Sequence, residues 1–144
     1  MRFQIKVKAK SLWTQRKRVL VLDALEYANC HLGLNVFDDV VRIRLSGEPY
    51  SPGLCCYLDG RIIIKISADQ PEKEIVETLF HELTHAKQYL SNALEDYNEK
   101  ICYWKGHCYV GDFENTESSD YWNAPWEVEA RKVGKELRIS YYQS

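Results

Sequence analysis

The sequence predicts an α+β fold: a mixed or antiparallel sheet of about four strands packed on an N-terminal helix and a central helix, with a further helix at the C-terminal end. Three observations predict it. Short stretches alternate apolar and polar residues at period two, longer ones carry apolar residues at spacings of three and four, and the two kinds are interspersed along the chain. At 144 residues the chain fits one domain, 1–144, and 45% hydrophobic with 28% charged residues excludes global disorder.

The first strand spans residues 2–8, with Phe3, Ile5 and Val7 pointing one way and Arg2, Gln4, Lys6 and Lys8 the other. Ser11 offers an N-cap for a helix over 12–32, with Leu20, Ala24, Tyr27 and His31 along one side and Gly33 at its end. VVRIRLS (40–46) alternates as a strand. LCCYL (54–58) and RIIIKIS (61–67) flank Asp59-Gly60, a pair suited to a two-residue hairpin turn because both positions accept positive φ.

The central helix opens at Pro71, with Glu72 and Glu74 in the turn where the helix dipole favours negative charge. Ile75, Val76, Leu79, Leu83, Ala86 and Leu90 form its apolar side. Residues 92–124 are the least regular, with a second hairpin about Lys105-Gly106 and a loop from Gly111. A last helix starts near Pro125 and runs to about Ser140, with Trp126, Ala130, Val133 and Leu137 inward.

Charge and composition exclude several classes. A net charge of −2 does not suit a polypeptide that coats nucleic acid generally, and no apolar run approaches the roughly 18 residues of a membrane span. Five cysteines without a Cys-x-x-Cys pair read as reduced thiols of a cytoplasmic protein, although Cys102 and Cys108 could face each other across the second hairpin. Charge is nevertheless uneven. Residues 1–20 carry seven Lys or Arg and no acid, and this basic N-terminal region, with Trp13 among Lys10, Arg16, Lys17 and Arg18, is the place for any nucleic-acid contact.

The central helix carries His81-Glu82-Leu83-Thr84-His85, an HExxH pattern. Residues i and i+4 lie one turn apart on the same side of a helix, so both imidazoles can reach one metal ion. Imidazole suits zinc, zinc acidifies a bound water and polarises a carbonyl, and Glu82 can take the water's proton. A catalytic zinc has three protein ligands, so a third is expected among His107, Glu127 and Glu129. HExxHxxGxxH is excluded, because Gln88 and Ser91 stand at the Gly and His positions. Helix geometry leaves Glu127 and Glu129 flanking the inward side almost symmetrically.

HELTHAKQ (81–88), followed by a Trp-Glu-Val-Glu-Ala helix (125–131), resembles the gluzincin metallopeptidases, in particular the small single-domain minigluzincins. The resemblance implies a small zincin-like fold and a zinc-dependent endopeptidase holding one zinc ion. It also implies His81, His85 and Glu129 as ligands, because Glu129-Ala130 matches the glutamate-plus-small-residue element of that group. Glu82 is then the general base. The 43 residues between His85 and Glu129 exceed the interval of larger gluzincins, so the hairpin and loop between them must fold away from the metal.

Peptide or protein is the substrate this implies, held extended along an edge strand near the 54–58/61–67 hairpin. Tyr103, Tyr109 and Tyr121 are the candidate donors to the oxyanion. Two alternatives stand beside this reading. One is an SprT-like, DNA-associated zinc protease with His107 as third ligand, and the other a catalytically silent zinc-binding regulatory protein.

Overall fold

A computed structural model of the chain describes residues 1–7, 15–46 and 51–144. The expected N-cap Ser11, and Lys10 and Trp13 of the basic region, lie outside the described residues. The fold is α+β, with a mixed four-stranded sheet, a separate antiparallel three-stranded sheet and, among the described residues, four α-helices.

The larger sheet comprises β1 (Arg2–Val7), β2 (Val40–Ser46), β3 (Gly53–Leu58) and β4 (Arg61–Ser67), in the order β1-β2-β4-β3. β1, β2 and β4 run parallel, and β3 folds back antiparallel on β4. Asp59 and Gly60 make that turn at φ 52° and 73°, the two positive values a two-residue hairpin needs. The inward residues Val41, Ile43, Leu45, Ile62, Ile64 and Ile66 are fully or almost fully buried. They form one core with helices α1 (Gln15–His31) and α2 (Glu72–Leu90).

The buried side of α1 is rotated from the expected one. Val21, Ala24, Leu25 and Ala28 are inside, Leu20 and Tyr27 are partly covered, and His31 lies on the surface, stacked on Tyr27. Gly33 follows the helix at φ 66°, the left-handed end its composition predicts. Pro71 stands at the cap of α2, one position before the first helical residue.

Residues 92–124 are more ordered than their composition suggests. Short strands β5 (Leu94–Asp96), β6 (Ile101–Trp104) and β7 (His107–Val110) form the second sheet, with Lys105 and Gly106 at φ 50° and 83° in its tight turn. Helix α3 (Ser119–Asn123) occupies part of the expected loop, its first turn capped by the Ser118 hydroxyl accepting from the Tyr121 N–H at 3.1 Å. Leu94, Cys102, Trp104, Ala124 and Trp126 make a second small core. The register pairs Cys102 with Tyr109 and Tyr103 with Cys108, so Cys102 is buried while Cys108 lies exposed on the other side of the sheet.

Helix α4 (Pro125–Gln143) lies along α2, and Gly134 is the point of closest approach. A Cβ there would stand 3.2–3.3 Å from the backbone of His81 and Glu77. The far end of α4 is tied to α1 by Tyr27 Oη and Ser140 Oγ, 2.6 Å apart, and by the Tyr141 hydroxyl donating to Asp23 at 2.6 Å. No described helix is long and apolar enough to cross a membrane.

Candidate metal centre

α2 is wedged between the sheet and α4, so its second half is buried on nearly all sides. Glu82, Leu83, Thr84, His85, Ala86 and Gln88 are all inside. This position turns an ordinary amphipathic helix into the floor of a site. The i, i+4 spacing brings His85 Nε2 to 3.2 Å from His81 Nε2. The third group beside them is Glu127, whose Oε1 lies 3.3 Å from His81 Nε2 and whose Oε2 lies 2.9 Å from His85 Nε2.

Glu129, expected as the third ligand, is not in this cluster. Its Oε1 accepts a hydrogen bond from Gln88 Nε2 at 3.1 Å. The reason is the rotation of α4. Its buried positions are Trp126, Glu127, Ala130 and Gly134, whereas Val133 and Leu137 are only partly covered, so the inward side is centred nearer Glu127 than the apolar residues alone imply. Trp126 sets this rotation. Its ring packs on Phe113, Tyr109 and Trp104 at centroid distances of 4.9, 5.7 and 6.3 Å. The irregular-looking segment thus clamps the residue next to Glu127.

Gln88 gains a role that sequence reading missed. Its Nε2 donates to the Trp126 carbonyl at 3.0 Å as well as to Glu129, so its Oε1 faces His85 Nδ1 at 2.7 Å. An amide oxygen only accepts, so Nδ1 carries the proton, and the Nε2 lone pair of neutral His85 points into the cluster. Glu129 therefore acts at two removes, by orienting the amide that orients His85. The available signal was a hydrogen-bonding residue three places after the second histidine.

The donor set fits a zinc ion. Zinc bound at about 2.0–2.1 Å in a tetrahedron has ligand atoms about 3.3–3.4 Å apart. The two imidazole nitrogens are 3.2 Å apart, Glu127 brings Oε1 to 3.3 Å from the one and Oε2 to 2.9 Å from the other, and two imidazoles with one carboxylate are a set that zinc takes. Among the described residues, these three are the group whose donor atoms all lie within 4.8 Å of one another.

Electrostatics follow from burial and proximity. Burial pushes the Glu127 carboxyl up, but hydrogen bonds from His81 and His85 outweigh it and hold the group at about 2. Burial pulls His85 down, but its hydrogen bond to Glu127 and the charges of Glu127 and Glu82 hold it at about 9. Glu82 is buried directly beside the cluster. Burial raises its pKa, the two histidines draw it back, and Glu127 raises it again. Gly53 of β3 packs on Thr78 and Glu82, so this edge strand borders the base candidate.

Of the three candidate oxyanion donors, Tyr121 reaches the cluster. Its hydroxyl lies in the field of the cluster: burial raises its pKa, and the charges of Glu127 and Glu82 raise it further. Tyr109 packs edge-on against Trp126, and Tyr103 is exposed opposite Cys108. His107 is exposed on β7, opposite Trp104 in the register, and is not part of the cluster. No protein-family model and no curated protein matches the chain.

Proposed function

We propose that this chain is a zinc-dependent metallopeptidase with His81, His85 and Glu127 as the metal ligands and Glu82 as the general base. The observation that carries the reading is the convergence of three deprotonatable donors at ligand spacing beside a buried carboxylate that is not one of them. A site built only to hold structural zinc closes its fourth position with protein and has no use for such a base.

When bound, the zinc supplies Lewis acidity to a water and to the substrate carbonyl. Glu82 takes the proton from the attacking water and passes it to the leaving amide nitrogen. Its burial, which raises its pKa, suits a group that must hold that proton between the two steps. Tyr121 stands at the Glu127 side of the cluster, where its hydroxyl can donate to the developing oxyanion. Free edge strand β3 offers main-chain groups to an extended peptide, which gives affinity with little sequence preference.

Zinc content and hydrolysis of a quenched fluorescent peptide library, measured on the same preparations, test this. Wild type is expected to hold one zinc per chain and Glu127→Ala none. Glu129→Ala and His107→Ala keep the metal, and Glu82→Gln keeps it but loses hydrolysis. Zinc retained by Glu127→Ala, or hydrolysis surviving in Glu82→Gln, overturns the assignment.

A further inference from the structure

The outer side of the four-stranded sheet, turned away from α1, α2 and the metal centre, carries the residues that alternate with the core positions. Along β1 these are Arg2, Gln4 and Lys6, along β2 Arg42 and Arg44, along β4 Arg61, Ile63 and Lys65, and along the β3 edge Leu54, Cys56 and Leu58. The parallel register lines them up in rows. Lys6 is opposite Arg44, which is opposite Lys65, and Gln4, Arg42 and Ile63 make the adjacent row.

Four cations, Lys6, Arg42, Arg44 and Lys65, thus share the middle of one face that is open among the described residues. Neighbouring strands are about 4.8 Å apart, and successive residues on one side of a strand about 6.7 Å. Among the described residues none of the four is in an ion pair, and the strands carry no carboxylate on this face. The acids nearest in the sequence lie beyond the strand ends: Asp39 and Asp59 where Arg2 and Arg61 lie, and exposed Asp69, four residues after Lys65, at the opposite end, while Glu48, four residues after Arg44, lies outside the described residues.

Like charges directly opposite one another destabilise a sheet, and a face kept merely for solubility mixes the two signs. The net charge of −2 conceals this segregation, because residues 92–129 hold nine Asp or Glu against two Lys. We propose that this open sheet face binds the phosphate backbone of duplex nucleic acid without regard to sequence.

The occupant follows from what the face offers and what it lacks. Main-chain groups in the middle of a sheet are already paired, and the centre of the face has only half-buried Ile63 as apolar surface. A polypeptide lying across this centre would find neither free strand pairing nor a large apolar anchor, the exposed Leu54 and Leu58 standing apart at the β3 edge. The outward residues of all four strands include no aromatic ring on which an unpaired base could stack. A dense polyanion needs none of these, since releasing its condensed counterions drives binding through cations alone. Arginine, half of the central four, also matches phosphate geometry. Two members of the basic run expected to carry such a contact are differently engaged: Arg16 pairs with Glu72 at 3.1 Å, and Lys17 donates to the Ala68 carbonyl at 3.2 Å.

The test is fluorescence anisotropy of a labelled 20-base-pair duplex of arbitrary sequence, titrated with the full chain at 50 and 200 mM salt. Four phosphate contacts predict a loss of about 100-fold in affinity across that range, and two contacts about 10-fold. Lys6→Gln with Lys65→Gln, both exposed and expected to fold, should weaken binding at 50 mM and reduce the salt effect to the smaller value. Arg16→Gln with Arg18→Gln removes the same charge from α1 and should leave the larger value, with circular dichroism verifying the fold of both. No binding at 50 mM, or equal losses in the two double variants, overturns the proposal. Tighter binding of polyglutamate of equal charge, or of phosphatidylserine vesicles, overturns it too. The outcome does not depend on the metal centre, which lies on the other side of the sheet.

Discussion

Gly134 holds the His81, His85 and Glu127 cluster closed from two turns away. It lies seven residues after Glu127 on the same side of α4, and a Cβ at this position would meet His81 N at 3.2 Å and Glu77 O and His81 Cα at 3.3 Å. All three are backbone atoms of α2, so the strain is relieved only by moving a helix. Alanine needs a shift of a few tenths of an ångström, costing about 1 kcal/mol of overpacking. Replacing a mid-helix glycine returns roughly the same amount, so Gly134→Ala should change the melting temperature by no more than about 3 °C.

Valine adds two methyl groups with no space to enter, and α4 must move out by about 1 Å at a cost of about 2–3 kcal/mol. The metal-free protein should then melt about 5–10 °C lower. The same displacement opens the 2.9 and 3.3 Å separations between Glu127 and the histidines towards 4 Å, and zinc affinity should fall about 100-fold. Thermal unfolding gives the first number and competition with a chromophoric chelator the second. If Gly134→Val melts lower yet binds zinc within about threefold of wild type, the α2–α4 contact does not set the ligand geometry, and the reasoning fails.

Other outcomes follow from the same geometry. In the metal-free protein His85 holds its proton up to about pH 9, so zinc must displace about one proton at pH 7; calorimetry in buffers of different ionisation enthalpy should show this, and a buffer-independent heat would contradict it. That raised pKa also stabilises the metal-free fold. The contribution is complete below the unfolded value near 6.5 and fades as pH rises towards 9, readable from melting temperatures in chelator. Gln88→Leu removes the acceptor that orients His85, and zinc affinity should drop about 10- to 100-fold with the fold retained. Among the cysteines, exposed Cys30 and Cys108 should react quickly with a thiol reagent, and buried Cys102, whose pKa is pushed up to about 12, slowly, which peptide mapping after timed labelling would reveal.

Local features of the candidate site were legible because their causes are local. The spacing of His81 and His85 is a property of any helix, and Asp59-Gly60 and Lys105-Gly106 form tight turns because of what those dipeptides allow at positive φ. Strands β1 to β4 showed in their alternation. Strand β5 and helix α3 did not, being too short to repeat a pattern; β5 contributes Leu94 to the small core around Trp104 and Trp126, and α3 rests on its Ser118 cap.

The third member of the cluster was not legible for a different reason. Glu127 and Glu129 are separated by one residue on a helix whose apolar stripe is broad, so a small rotation exchanges them. The one sequence signal that distinguishes them is Gly134, a mid-helix glycine on the Glu127 side that reports close approach of another helix. The cationic face was half-visible in the same way. Each strand's outward residues could be read, but the parallel order β1-β2-β4 that assembles Lys6, Arg44 and Lys65 into one row could not.

The sequence by itself therefore determined the longer helices, strands β1 to β4, the tight turns and the histidine pair with Glu82 beside it, because backbone periodicity and short-range sterics act within a few residues. Only the tertiary structure decided which carboxylate meets the histidines, which amide orients His85 and where the cations gather. Those outcomes depend on packing between segments far apart in the chain: an aromatic clamp on Trp126, a glycine contact at His81 and a crossover that makes β2 and β4 neighbours.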